Sequence, residues 1–142
     1  MKRNIEVLNY VYQNAEMGIT GIDDISDKIE DEELKEVTRT QREGYLKISK
    51  EAIQIFIKYG QQEAELGKLA KINSYLMIKV KTMIDDSTSN IAKMLIEGSN
   101  KGILEITEKI NQYQGIDEEI IDLAEKLKKL EESNLEELKK YL

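Results

Sequence analysis

A chain of 142 residues is long enough to bury a core of its own, so residues 1–142 are expected to form a single helical bundle domain without disulfides. With 40% apolar and 35% charged residues, no proline and no tryptophan, the composition is that of long amphipathic helices and predicts an all-α fold. The net charge of −7 disfavours nucleic acid and anionic lipid as partners, and the lack of both cysteine and histidine excludes thiol catalysis, iron–sulfur ligation and any Ser–His–Asp or Cys–His constellation.

The first predicted helix covers residues 4–30, where Ile5, Leu8, Tyr12, Ala15, Ile19, Ile22 and Ile29 recur at spacings of three and four. The second covers 32–59 through Leu34, Val37, Tyr45, Ile48, Ala52, Ile55 and Tyr59, with Gly60 as its C′ residue. Along it Lys35, Arg39, Arg42 and Lys47 alternate with Glu33, Glu36, Glu43 and Glu51, the pattern of a solvated helix face. Residues 68–84 read as a shorter helix marked by Leu69, Ile72, Leu76, Val80 and Met83. The polar run "DDSTSN" at 85–90 favours an N-cap over a helix interior, so the third long helix is expected from about Ser87 to Tyr113, closed by "QG" at 114–115. The fourth starts at Asp117, an N-cap candidate, and carries Ile120, Leu123, Ala124, Leu127, Leu130, Leu138 and Leu142.

A straight continuation of the 68–84 helix into the third would give a rod of roughly 69 Å, too long for the other helices. It is therefore expected to fold away, giving two helix hairpins joined by a helical crossover. The N-terminal segment lacks a signal-peptide core and no apolar run approaches the roughly 18 residues that span a bilayer, so the expectation is a soluble cytoplasmic protein. The richness in Ile, Lys, Glu and Asn points to a bacterial source.

Advancing about 100° per residue from Ile120 at the centre of the fourth helix's apolar face puts Glu131 and Asn134 inward, about 20° and 40° to either side. On the second helix Gln41 and Gly44 take inward positions, and on the third Gly98, Gly102 and, at the edge, Ser99. Glu16 sits at the edge of the first helix's stripe. A buried carboxylate needs hydrogen bonds, which Gln41, Asn134, Ser99 or a tyrosine hydroxyl are placed to provide; unpaired, Glu131 would have a raised pKa.

The segment "EESNLEELKKYL" at 131–142 resembles the final helix of ferritin-like and rubrerythrin-type four-helix bundles, and "IEVLNYVYQNAEMGITGI" at 5–22 is similar to ferritin-like bacterial families of unassigned function. The resemblance implies a ferritin-like bundle with the shorter 68–84 helix added between its second and third long helices. Such di-iron and di-manganese bundles take a Glu from each of two helices and Glu-x-x-His from the other two. Here Glu-x-x-His becomes Glu131-x-x-Asn134, and the equivalent on the second helix reads Gln41-x-x-Gly44. The ligand set is thus degenerate, no cofactor or metal is expected, and the candidate remnant is Glu131, Asn134, Gln41 and Glu16. The alternative is a weak metal store or sensor centred on Glu131 with other core oxygens, since hard cations accept oxygen ligands alone.

Glycine inside a helix costs roughly 1 kcal/mol against alanine. Gly18 and Gly21 in the first helix, with Gly98 and Gly102 in the third, therefore suggest a close crossing of those two helices. Ile96, Ile103 and Ile110 add a second apolar edge to the third helix, to be covered by the crossover helix, a second copy in a homodimer or a protein partner. The expected function is that of a non-enzymatic structural or interaction module.

Overall fold

The computed structural model describes residues 2–60 and 83–142. Four α-helices and one short 3-10 turn make up the described residues, with no strand among them: α1 (Lys2–Ser26), α2 (Glu32–Lys58), α3 (Thr88–Gln112) and α4 (Glu118–Leu138), the last continuing into the 3-10 turn Lys139–Tyr141. The all-helical expectation holds. The 68–84 helix lies outside the described residues except at Met83 and Ile84, which are not helical.

Local chemistry fixes the helix ends. The Asp31 carboxylate accepts the Leu34 amide at 2.8 Å and caps α2, and Ser87 Oγ accepts the Asn90 amide at 3.2 Å and caps α3. Gly60 and Gly115 follow α2 and α3 with φ of 81° and 74°, the left-handed region that closes a helix at little cost only in glycine. Asp117 precedes α4 as expected, but its side chain caps nothing in that helix. Its carboxylate instead accepts the Tyr59 hydroxyl, and its backbone N–H donates to Asn4 Oδ1 at 2.8 Å, so this corner ties α1, α2 and α4 together.

The helices pack as two hairpins, α1 with α2 and α3 with α4, and the hairpins meet through α1 against α3 and α2 against α4. Cross-helix bonds set the directions. Tyr113 donates to Glu6 at 2.7 Å, which brings the end of α3 to the start of α1, while Lys58 pairs with Glu119 and Tyr141 donates to Glu33 at the two ends of the α2–α4 contact. Every neighbouring pair is therefore antiparallel. It follows that the chain leaves α2 at one end of the bundle and enters α3 at the other.

One core runs through the bundle. Its lower half is built mainly of apolar side chains from all four helices: Val7, Leu8, Val11 and Tyr12 meet Ala52, Ile55, Phe56, Ile106, Ile120, Leu123 and Leu127. Tyr12 and Phe56 pack edge to face with ring centroids 6.0 Å apart. Helix α1 buries more than the single stripe read from its periodicity, because Val7, Val11, Asn14 and Ile25 form a second buried line beside Leu8, Tyr12, Ala15 and Ile22. In α2 the buried line runs through Thr38 and Phe56, whereas Val37 and Tyr59 are only half-buried. The Ile96, Ile103 and Ile110 edge of α3 is half-buried, with Ile96 and Ile110 packed against the core. No helix among the described residues is long and apolar enough to cross a membrane.

Candidate functional site

Above the apolar half, each helix contributes polar or side-chain-free positions to one layer of the core. Asn14 comes from α1, Gln41 and Tyr45 from α2, Ser99 and Gly102 from α3, and Glu131 and Asn134 from α4; all are buried. Glu131 and Asn134 are each 2% exposed, matching the inward positions expected from the wheel. Ile22, Ile25, Leu34, Ile91 and Leu138 close the core beyond this layer, so the polar groups lie between apolar ones.

Glu131 is the centre of the layer. A Cβ on Gly102 would stand 2.3 Å from Glu131 Oε2 and 2.5 Å from Oε1, so α3 accommodates the carboxylate only because residue 102 has no side chain. Tyr45 donates its hydroxyl to Glu131 Oε2 at 3.1 Å and also lies within reach of Ser99 and Asn134. Asn14 Nδ2 donates to the Gly102 carbonyl at 3.2 Å, joining α1 to the same point on α3. Gln41 Nε2 donates to the Asn134 carbonyl at 3.3 Å. Among the described residues, Glu131 Oε1 and Asn134 Nδ2 find no hydrogen-bond partner.

The electrostatics follow from this burial. Loss of hydration pushes the Glu131 carboxyl from 4.5 up to about 8; hydrogen bonds from Tyr45 and Asn14 work against that rise, and the nearby Glu105 charge adds to it. The Tyr45 hydroxyl is pushed well above the ordinary tyrosine range, by burial first and by the Glu131 charge second. The pair therefore holds its protons at neutral pH, with Glu131 a neutral acid.

A cavity of about 70 Å³ adjoins the carboxyl. Asn14, Gln41, Tyr45, Ser99 and Glu131 line its inner part, and Met17, Gly98, Lys101 and Glu105 bring it to the half-buried seam between α1 and α3. Gly98 would place a Cβ against nothing within 4 Å, so its missing side chain leaves this mouth open.

Two expectations need correction. Glu16 does not join the Glu131 layer: it accepts the Ser49 hydroxyl at 2.7 Å in the α1–α2 interface and does not line the cavity. A close crossing of the first and third helices is not carried by Gly18, Gly98 or Gly102. A Cβ on Gly18 would lie 2.6 Å from the Tyr45 ring of α2, Gly102 accommodates Glu131 of α4, and Gly98 meets nothing; Gly21 is buried. Gly18 and Gly102 make room for side chains, and helical-wheel angles cannot reveal this because they carry no information about relative height. Asn14 was missed among the candidates for the same layer, although it continues the Val7–Val11 line at helical spacing.

The ligand set implied by the ferritin-like resemblance does not fit these residues. Amides, hydroxyls and a glycine adjoin Glu131, with Glu105 the one other carboxylate in the cavity lining, where a two-metal centre needs several carboxylates and imidazoles, and no three carboxylates among the described residues are grouped to hold a metal ion. What the layer can do is bind through one carboxyl and several neutral donors and acceptors. No protein-family model matches the chain, and neither a curated protein nor a solved structure does.

Proposed function

We propose that this protein is a non-enzymatic ferritin-like bundle, a structural or protein-interaction module in which a hydrogen-bonded polar layer stands where related bundles hold two metal ions. The observation that carries the reading is the setting of Glu131: a single buried carboxyl seated on Gly102 and held by Tyr45, with the neutral Asn14, Gln41 and Ser99 lining the same cavity. The opposite-end exit of α2 and entry of α3 support the ferritin-like connectivity, since that class joins its hairpins by one long crossover. The half-buried Ile96, Ile103 and Ile110 edge supports an interaction role, either in a homodimer or with another protein.

The competing reading is a weak metal store or sensor, favoured by the unmatched Glu131 Oε1 beside the cavity. Elemental analysis of the full chain purified without chelator separates the two. The proposal expects no stoichiometric transition metal; a stoichiometric metal lost on Glu131→Ala would overturn it in favour of the store or sensor.

A further inference from the structure

The cavity beside Glu131 has the attributes of a ligand site that the structural role leaves unused. Glu131 Oε1 is a buried polar atom with no hydrogen-bond partner, on a side chain that is 2% exposed, and is an acceptor once the carboxyl ionises. A buried acceptor left unmatched is costly, so a donor supplied from outside would be favoured there. The walls are mixed: Met17, Ile22 and Leu95 are apolar, whereas Asn14, Gln41, Tyr45 and Ser99 are polar. Water needs about 10–15 Å³ of such space per molecule, so about 70 Å³ admits a ligand of only a few heavy atoms.

We propose that this cavity binds a small primary alkylammonium ion, its N–H donors directed to Glu131 Oε1 and its short carbon chain against Met17, Ile22 and Leu95. Three features select that class. The unmatched atom accepts and does not donate once ionised, which calls for a donor. Glu105 offsets Lys101 at the mouth, so once Glu131 is ionised the lining carries a net negative charge and rejects anions. A hard dication would need about six oxygen ligands, and a lining with two carboxylates, Glu131 and Glu105, beside the cationic Lys101 is a poor host for it. The glycines supply the access: Gly102 sets the carboxyl against α3, and Gly98 keeps the seam open. The inference rests on the geometry around Glu131 and stands whether or not the ferritin-like reading does.

Binding a cation needs the ionised carboxylate. The groups facing it are Asn14 from α1, Tyr45 from α2, Lys101 and Glu105 from α3, and Asn134 from its own helix. Because burial holds the carboxyl at about 8, affinity is lost tenfold per pH unit well below that value.

The test is an NMR titration of the ¹⁵N-labelled full chain with propylammonium chloride at constant ionic strength. Saturable shifts are expected at the Asn14 side-chain amide and the Gly98 and Gly102 backbone amides, with a dissociation constant roughly twentyfold higher at about pH 6.5 than at about pH 8.5. Tetramethylammonium, which has no N–H, is expected to give none. Glu131→Gln should abolish the shifts. Gly98→Leu, which keeps the carboxyl and fills the mouth, should weaken binding at least tenfold, with circular dichroism verifying that both variants are helical. The proposal is overturned by the absence of saturable shifts at high pH, by their survival in Glu131→Gln, by full affinity in Gly98→Leu, or by magnesium chloride alone producing the same shifts.

Discussion

The two halves of this core solve the same packing problem with opposite chemistry. Around Tyr12 and Phe56 the four helices meet mainly through apolar side chains, with polar contacts such as Ser49–Glu16 and Asn4–Asp117 beside them, and each contact is of a kind that any compact bundle provides. About one turn beyond Leu127 along α4, the helices meet through Asn14, Gln41, Tyr45, Ser99 and Glu131, with glycines at 18 and 102 making the space. The first half stabilises by removing hydrocarbon from water, at about 25 cal/mol per Å². The second buries groups that would rather be hydrated and recovers that loss by hydrogen bonds, which leaves a net contribution near zero or below it. Stability thus comes from one half, and the specific architecture of the other is kept in spite of its cost.

Mutations in each half should separate these roles. The largest effect is expected at Phe56→Ala, which empties a fully buried position and should lower unfolding free energy by about 3–5 kcal/mol in urea denaturation. A loss much below this would mean that the apolar half is not where stability resides.

Replacing Glu131 by Gln should move stability in the other direction and only above acid pH. The unfolded carboxyl ionises near 4.5, whereas the folded one keeps its proton up to about 8. Across that window the folded state binds more protons than the unfolded one, so the native protein loses stability as pH rises, by up to about 1.4 kcal/mol per pH unit. The amide has no charge to give up. Thermal melts of Glu131→Gln and the native chain should coincide below the unfolded pKa, diverge as pH rises towards about 8 and remain parallel above it. Coincident melts throughout would show that the carboxyl is solvated after all.

The smallest contrast lies within one helix. Gly102→Ala drives a methyl into the Glu131 carboxyl and should cost about 1–3 kcal/mol, more than the gain in helix propensity returns. Gly98→Ala meets open space and should stabilise by up to about 1 kcal/mol. Equal effects at the two positions, measured by chemical denaturation, would show that Gly102 is not shaped around the carboxyl.

How legible each half was in the sequence differs in the same way. The helix ends at Ser87, Gly60 and Gly115 follow from capping chemistry, and the inward positions of Glu131 and Asn134 follow from 3.6-residue periodicity. Both are properties of a single helix. That Tyr45 rather than another tyrosine reaches Glu131, that Asn14 closes the layer and that Glu16 turns to Ser49 depend on the axial register between helices. Periodicity gives an angle around an axis and no position along a neighbouring one, so the partners of the polar groups were out of reach even where the groups themselves were not. Gly18 and Gly102 show the same limit: their presence was visible, but the Tyr45 ring and the Glu131 carboxyl they make room for were not.

The division of the polar layer between two hairpins bears on how the chain folds. Gly102 and Glu131 belong to the α3–α4 hairpin, whereas Asn14 and Tyr45 belong to α1–α2, and each hairpin forms through contacts near in sequence. A lone α3–α4 hairpin lacks Tyr45, Asn14 and Gln41, so Glu131 there keeps water that the closed bundle excludes. Only when the halves close on one another does it lose that water, so proton uptake belongs to the docking event, and alkaline solution should slow the joining of the hairpins rather than the formation of either.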